Sequence, residues 1–579
     1  MQRSALVVLV LVLAASGAGA GCRERERRQP AAAVATPPLV EASAIAADAL
    51  PVQLTPYIPP QCYTRSQDAH GRVHNPCFTC HVDALAPNYI GDGDLQLGYA
   101  FGPPARVNPW TNLFVDRSAE IAAISDDTMR AYVRQDNYAA SATSPGLVAR
   151  LATLPPAWDS DGDGRWSGWT PDVAFRFDDA GFDRRADGGY TGWRAYAYFP
   201  LPGAFWPTNG SFGDVMIRLP VAFREDAAGH LDRRIYATNL AILEAMIARR
   251  DVAIDATDEQ LVHVDLDGDG RLGRARVVRY RWKPGVVDLT WAGRAGELRA
   301  RGEVHLAAGL FPEGTELAHS LRYLDADGEH VHMAARMKEL RYMVKTAWVS
   351  YGTLEYQASA EGREKQQTPD KTRAMVGSSE RGIGNRAGWR LQGFIEDAQG
   401  ELRPQTLGEH AFCIGCHSGV GATDDSVFSF GRKLPGTSFR HGWYHVLQRG
   451  LEGVPEPRRA DGRGEYAFYL EQNGAGDDLR ANQEVRARFF DAQGVLRPDM
   501  AARLRRDVSL LLVPGPARAL VLDKAYRVIV LAQSFASGRD ATVTPAANVY
   551  RELPASEQST GVKQPVADRR RKTRRVDAF

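Results

Sequence analysis

Cys77-Phe78-Thr79-Cys80-His81 and Cys413-Ile414-Gly415-Cys416-His417 carry one pattern twice, Cys-x-x-Cys-His. Two cysteines at this spacing bond covalently to the two vinyl groups of a haem, and the adjacent histidine meets the iron as its proximal ligand. The chain holds six Cys and thirteen His in 579 residues. At such frequencies chance gives one such pentapeptide only about once in a thousand sequences of this length. The expectation is two covalently bound haem c, one on Cys77, Cys80 and His81, the other on Cys413, Cys416 and His417.

Other uses of a Cys-x-x-Cys fit less well. A zinc ribbon needs the two distant pairs to converge on one metal, and it leaves both histidines as coincidences. A thioredoxin-like dithiol needs a strand-to-helix context. Here Asn75-Pro76 precedes the first motif and the polar Gly408-Glu409-His410 the second. A disulfide between residues three apart closes too small a loop to stabilise much.

The iron's other face decides what a haem does: a second His gives a low-potential carrier, Met raises the potential, and an open position permits substrate chemistry. Candidate distal ligands for the first haem are His70 and His74. For the second they are His319, His330, His332, His410, His441 and His445, with Met333, Met337 and Met343. Cys62 has no evident partner and reads as a buried thiol, an intermolecular disulfide site or a thiolate ligand.

Around the motifs the chain divides into an α+β multidomain arrangement. Loop- and helix-rich haem regions at 56–153 and 312–460 flank a β-rich inserted domain at 154–311, and a helical segment follows at 461–579. Helices are predicted at 126–137, 239–249, 334–345, 499–512 and 518–536, and strands at 215–219 and 275–280. Hydrophobic residues make up 44% and charged residues 24%, an ordinary globular balance, and the net charge of +1 gives no reason to invoke nucleic acid. Basic runs at 23–28 and 569–575 read as solvated tails.

Asp159-Ser160-Asp161-Gly162-Asp163-Gly164 and Asp265-Leu266-Asp267-Gly268-Asp269-Gly270 match the first half of a calcium-binding loop. Alternate carboxylates converge on one hard cation and the Gly allows the sharp turn. The twelfth position, a bidentate Glu in an EF-hand, falls on Thr170 and Arg276. Another residue must therefore close each site: Asp172 or Asp178 for the first, none evident for the second. Asp325-Ala326-Asp327-Gly328 reads as a hairpin turn.

The N-terminus reads as an export signal, residues 1–22, with Arg3 ahead of the apolar run 5–15 and small residues up to Gly19-Ala20-Gly21-Cys22. Its ending resembles the lipobox of bacterial lipoproteins, although Gly19 stands where Leu is usual. This resemblance implies lipidation of Cys22, with Arg23 after it resembling an outer-membrane destination and residues 23–55 serving as a disordered tether. The alternative is cleavage and release as a soluble periplasmic protein.

The motifs and export signal together resemble bacterial multihaem c-type cytochromes, especially lipoproteins of periplasmic and extracellular respiratory chains. This resemblance implies electron transfer between periplasmic or outer-membrane donor and acceptor proteins. Dihaem cytochrome c peroxidases also carry two such motifs, but closer together than the 336 residues between Cys77 and Cys413. A dihaem oxidoreductase with one open haem, peroxidase-like or reducing a small oxide, is the alternative. A haem-based binding or sensing module is the third.

Overall fold

Residues 316–345 are buried at most positions, which a strand can be only where both faces of its sheet are covered. In the computed structural model of the chain they form the central hairpin. The structure describes residues 58–553 apart from 68–70, 72, 85, 91–92, 98–100, 141–145, 205–206, 284–287, 369–374, 428–429, 460 and 474–481. The expected signal segment, Cys22, the tether, the basic tail and His70 lie outside the described residues, as does the side chain of His74.

The order of elements begins with a short ribbon, β1 (Ser66–Gln67) and β2 (Val73–His74), ahead of the first motif. Helices α1 (Ser118–Ala123), α2 (Asp126–Val133) and α3 (Gly146–Ala152) follow. Strands β3 (Phe182–Arg184), β4 (Tyr190–Ala195), β5 (Phe212–Gly213) and β6 (Met216–Arg218) lead to α4 (Arg233–Ala248). A second ribbon, β7 (Val252–Asp258) and β8 (Arg274–Val278), encloses α5 (Glu259–Val262), and α6 (Arg294–Ala300) comes next. The hairpin strands are β9 (Glu316–Asp327) and β10 (His330–Lys345), followed by α7 (Tyr351–Gln367), β11 (Gly377–Ser378), β12 (Gly382–Gly384), β13 (Trp389–Glu396) and β14 (Leu402–Pro404). Helix α8 (Leu407–Ile414) enters the second motif. Helices α9 (Glu465–Gln472), α10 (Gln483–Phe489), α11 (Pro498–Leu504), α12 (Ser509–Leu512) and α13 (Pro516–Ala532) make the helical C-terminal segment.

Ten of these strands form one antiparallel sheet in the order β11-β12-β13-β10-β9-β6-β4-β3, with β14 on β13 and β5 on β9. The fold is thus mixed α and β around a large antiparallel sheet, and the described residues form one compact unit. The sheet straddles the boundary expected at 311, because its central strands β9, β10 and β13 come from the stretch after it. Helix α4 carries the main core, and α13 lies against β9 with Tyr526 edge-on to Tyr323 at 5.6 Å.

The helix expected at 334–345 is strand β10. Ala, Arg, Met, Lys, Glu and Leu all favour helix, but pairing with β9 on one side and β13 on the other overrides that weak preference. The change matters for charge. The strand leaves Arg336, Lys338, Glu339 and Lys345 buried and Arg341 half-buried, where each finds a partner: Arg336 with Glu396 at 2.9 Å, Lys338 with Asp523 at 3.9 Å, Arg341 with Glu339 at 2.9 Å, Lys345 with Asp425 at 2.7 Å.

Smaller differences have local causes. The helix expected at 126–137 stops at Val133 and is capped by Ser125, whose Oγ accepts from Thr128 N at 3.1 Å. The helix expected at 239–249 begins at Arg233, because Asp232 caps it with Oδ1 2.7 Å from Arg234 N. The stretch 499–512 breaks into α11 and α12, and α13 ends at Ala532, where Gln533 turns left-handed at φ 47°. Strands β6 and β8 fall where strands were expected. Asp327 pairs with His330 across Gly328 at φ 59°, so 325–328 does lead a hairpin turn.

Candidate functional site

Each Cys-x-x-Cys-His folds into one tight turn around the carbonyl of its first cysteine. Cys80 N and His81 N donate to Cys77 O at 3.2 and 2.8 Å, and Cys416 N and His417 N donate to Cys413 O at 3.2 and 3.0 Å. That geometry brings both cysteines and the histidine of a motif around a single turn, as thioether attachment requires. Asn75 prepares the first turn: its Oδ1 accepts from Cys77 N at 2.9 Å, and its Nδ2 donates to Cys62 O at 3.1 Å and Thr64 O at 2.8 Å. The second turn continues α8, which the polar lead-in had concealed. Its capping box is complete, with Glu409 N to Thr406 Oγ1 at 3.2 Å and Thr406 N to Glu409 Oε2 at 2.8 Å.

A cleft is lined both by the second motif and by the sheet. Cys413, Cys416 and His417 line it, as do His319 on β9, which pairs with Arg341 on β10, and Leu317, which pairs with Met343. Leu201, Val215, Leu391 and Val427 make most of the rest apolar. His417 Nδ1 lies 3.0 Å from Ser426 O, and His319 Nδ1 is hydrogen-bonded to Asp214 O. A carbonyl on Nδ1 is how metal-ligating histidines are oriented, since it fixes the tautomer that presents Nε2 to the metal. Burial pushes His417 down to about 4 and also lowers His319, so both rings are neutral, as ligands must be. Two neutral imidazoles, two cysteines and apolar side chains lining one cleft suit a haem there.

The remaining candidates are engaged elsewhere. His410 Nε2 accepts from Gly393 N at 2.9 Å inside the core. His441 uses Nδ1 on Gly436 O at 2.6 Å and lies 3.2 Å from Asp255 through Nε2. His445 accepts from Leu447 N at 3.1 Å and lies 2.9 Å from Asp214 through Nε2. His330 and His332 stack on each other at the exposed start of β10. Met337 packs with Leu147, Phe394 and Leu402, and Met333 is buried on β10 away from the cleft lining. Among the described candidates, His319 and Met343 face the cleft.

The two motifs, distant in sequence, meet. Ala422 N, five residues past His417, donates to Cys80 O at 3.0 Å, and Asn88 Nδ2 donates to Val420 O at 2.5 Å. Cys62 sits beside both: burial raises its thiol well above the usual range, and nearby Cys77, Cys80 and Cys416 raise it further. Burial likewise pushes Cys77 and Cys416 up to about 12, the reverse of the depressed thiol that a redox dithiol needs. The sulfurs do not form a zinc-type cluster. Among the described residues, the groups whose ligand atoms lie within 4.8 Å of one another are acidic.

Those groups are the two calcium-like loops, each closed by a glutamate the sequence did not point to. Asp159 and Asp161 meet Glu380, and Asp265 and Asp267 meet Glu259. Glu380 accepts from Ser160 N at 2.6 Å and Ser167 N at 3.0 Å. Glu259 holds the matching positions, Leu266 N at 2.5 Å and Gly273 N at 2.8 Å. Asp172 and Asp178 are not the closing residues: Asp172 accepts from Trp193 Nε1 at 2.8 Å and Asp178 from Phe182 N at 3.0 Å. Asp163 and Asp269 turn back onto Arg165 N and Arg271 N, each at 2.8 Å, and stay outside the groups. Glu380 lies more than two hundred residues from its loop, where no local pattern reaches; Glu259 precedes its loop on α5 without a recognisable spacing.

A family model described as a "-like lipoprotein" matches residues 50–508. A protein of Aquifex aeolicus (strain VF5), named "Uncharacterized lipoprotein", is 31% identical over 572 residues, spanning 88% of this chain and 90% of the relative. No solved structure matches. These findings correct the family resemblance drawn from the motifs. The matching model spans both pentapeptides yet is a lipoprotein model, and neither match is to a cytochrome family. Ten residues specify an attachment chemistry, and a family is set by the several hundred around them. The chain belongs to this lipoprotein family, whose members are exported and held at a membrane by a lipid anchor.

Proposed function

We propose that the protein is an electron carrier that holds haem c at both motifs and works between exported redox partners. The observation that carries this reading is the cleft lined by Cys413, Cys416 and His417 together with His319. A haem bound there supplies a one-electron iron couple whose potential follows its axial ligands and burial. Cys413 and Cys416 would hold it through thioethers, and His417 and His319, oriented by Ser426 O and Asp214 O, would supply nitrogen ligands to its iron. The contact between residue 422 and Cys80 brings the two motifs together, which suits transfer from one site to the other.

His319 in the cleft lining weighs against an open iron at the second site, and so against the oxidoreductase reading there. Absorption and electron paramagnetic resonance spectra of the purified protein, with and without cyanide, decide between the two. Two low-spin irons unmoved by cyanide support carriage. A high-spin component that takes up cyanide would make the protein an enzyme instead.

Cys22 is the residue we assign to the lipid anchor, with Arg23 favouring the outer membrane. The two acidic loops suit structural calcium, since each gathers three carboxylates in the same arrangement. Calorimetric titration with Ca²⁺ should then show about two sites, one lost in Glu259→Gln and the other in Glu380→Gln. A flat titration of the wild type would remove calcium from the account.

A further inference from the structure

Beyond His319 and Arg341, the next pair on the same face of the strands is Leu321 and Glu339. Both line a second, smaller chamber, which shares Ala204, Phe412 and Cys416 with the cleft. Charged and polar side chains stand among its apolar ones. Arg539 is 7% exposed and Tyr526 4%, and both line it. Arg539 donates through Nη1 to Glu339 at 2.7 Å and through Nη2 to Glu409 O at 2.6 Å, but its buried Nε has no hydrogen-bond partner. Tyr526 Oη is also buried without one. Two buried donors left unsatisfied on residues lining one chamber are the kind of group that a bound acceptor satisfies.

Lys338 and Arg539 line the chamber together with the carboxylates of Glu339 and Asp540. Burial opposes ionisation of Glu339, but Arg341 and Arg539 outweigh it and hold the group at about 2. Burial pushes Asp523, 3.9 Å from Lys338, up to about 8. Burial also keeps the Tyr526 phenol protonated, hence a donor.

We propose that this chamber binds a carboxylate, with Arg539 and Tyr526 as its donors. Its nearest source is the propionate edge of a haem in the adjoining cleft, an assignment that rests on the function proposed above; a small free carboxylate would be the other. Charge-assisted hydrogen bonds from a guanidinium and a phenol are the strong kind, and neutralising a propionate favours the reduced iron.

Spectroelectrochemical titration of the full-length protein, with and without sodium acetate, separates the cases in wild type, Arg539→Gln and Tyr526→Phe. Tyr526→Phe keeps the ring packed on Tyr323 should Arg539→Gln fail to fold. With the haem's own carboxylate as occupant, one midpoint potential falls in both variants, the other stays, and acetate changes nothing. With a free carboxylate, acetate shifts one potential saturably in wild type and not in Tyr526→Phe. Haem present but potentials unchanged by substitution or acetate would overturn the site. A protein purified without haem would instead sink the functional reading. The chamber would then stand only if acetate raises the unfolding midpoint of wild type and leaves Tyr526→Phe unmoved, and an equal response would overturn it.

Discussion

With haem c held in the cleft as proposed, His319→Ala will convert the second site from an iron indifferent to cyanide into a high-spin iron that binds about one cyanide per chain. His319 reaches the cleft from the middle of β9, paired with β10 and held by the bond from its Nδ1 to Asp214 O. Asp214 is fixed in turn by Ser320 N at 2.6 Å and by His445 at 2.9 Å, so the ring is set in a rigid part of the sheet. On that proposal, removing it would leave His417 as the iron's remaining histidine ligand. Added imidazole, filling the space the side chain vacates, should restore the low-spin spectrum. An unchanged spectrum in the variant would pass the distal role to Met343, which also lines the cleft.

Asp425→Asn will lower stability by about 3–5 kcal/mol, the usual cost of leaving one partner of a buried ion pair uncompensated. Lys345 Nζ lies 2.7 Å from both Asp425 oxygens, and neither residue is exposed. Burial depresses the lysine and raises the carboxyl, and their mutual attraction opposes both shifts. Asn keeps the left-handed backbone at φ 50° that Asp425 adopts. The next residue, Ser426, supplies the carbonyl that orients His417, so the pair supports the site as well as the core. Urea unfolding midpoints measure the loss, and Lys345→Met combined with Asp425→Asn should recover most of it by removing the stranded charge. A loss below about 1 kcal/mol in the single variant would mean the pair is already solvated.

What could be read from the chain beforehand was local chemistry. The pentapeptides mark Cys413, Cys416 and His417 because attachment needs all three within five residues, and the structure brings them to one cleft. His319 was one of several distal candidates, and only its place on β9 separates it from His410 or His445, whose nitrogens serve the core and the Asp214 network. The strand β10 was hidden because its residues favour helix when taken alone, while its burial depends on β9 and β13. Glu380 closing the loop at Asp159, and Ala422 meeting Cys80, join segments hundreds of residues apart. Such meetings are products of the whole sheet, and spacing within one segment carries no trace of them.

The most direct test of the account is peptide mass mapping of the protein extracted from membranes of a cell able to attach haem c. The account predicts one covalent haem on the peptide bearing Cys77 and Cys80, one on the peptide bearing Cys413 and Cys416, and an acylated Cys22 at the N-terminus. Unmodified cysteines at 77, 80, 413 and 416 would contradict it outright, leaving a lipoprotein whose two motifs serve some other chemistry.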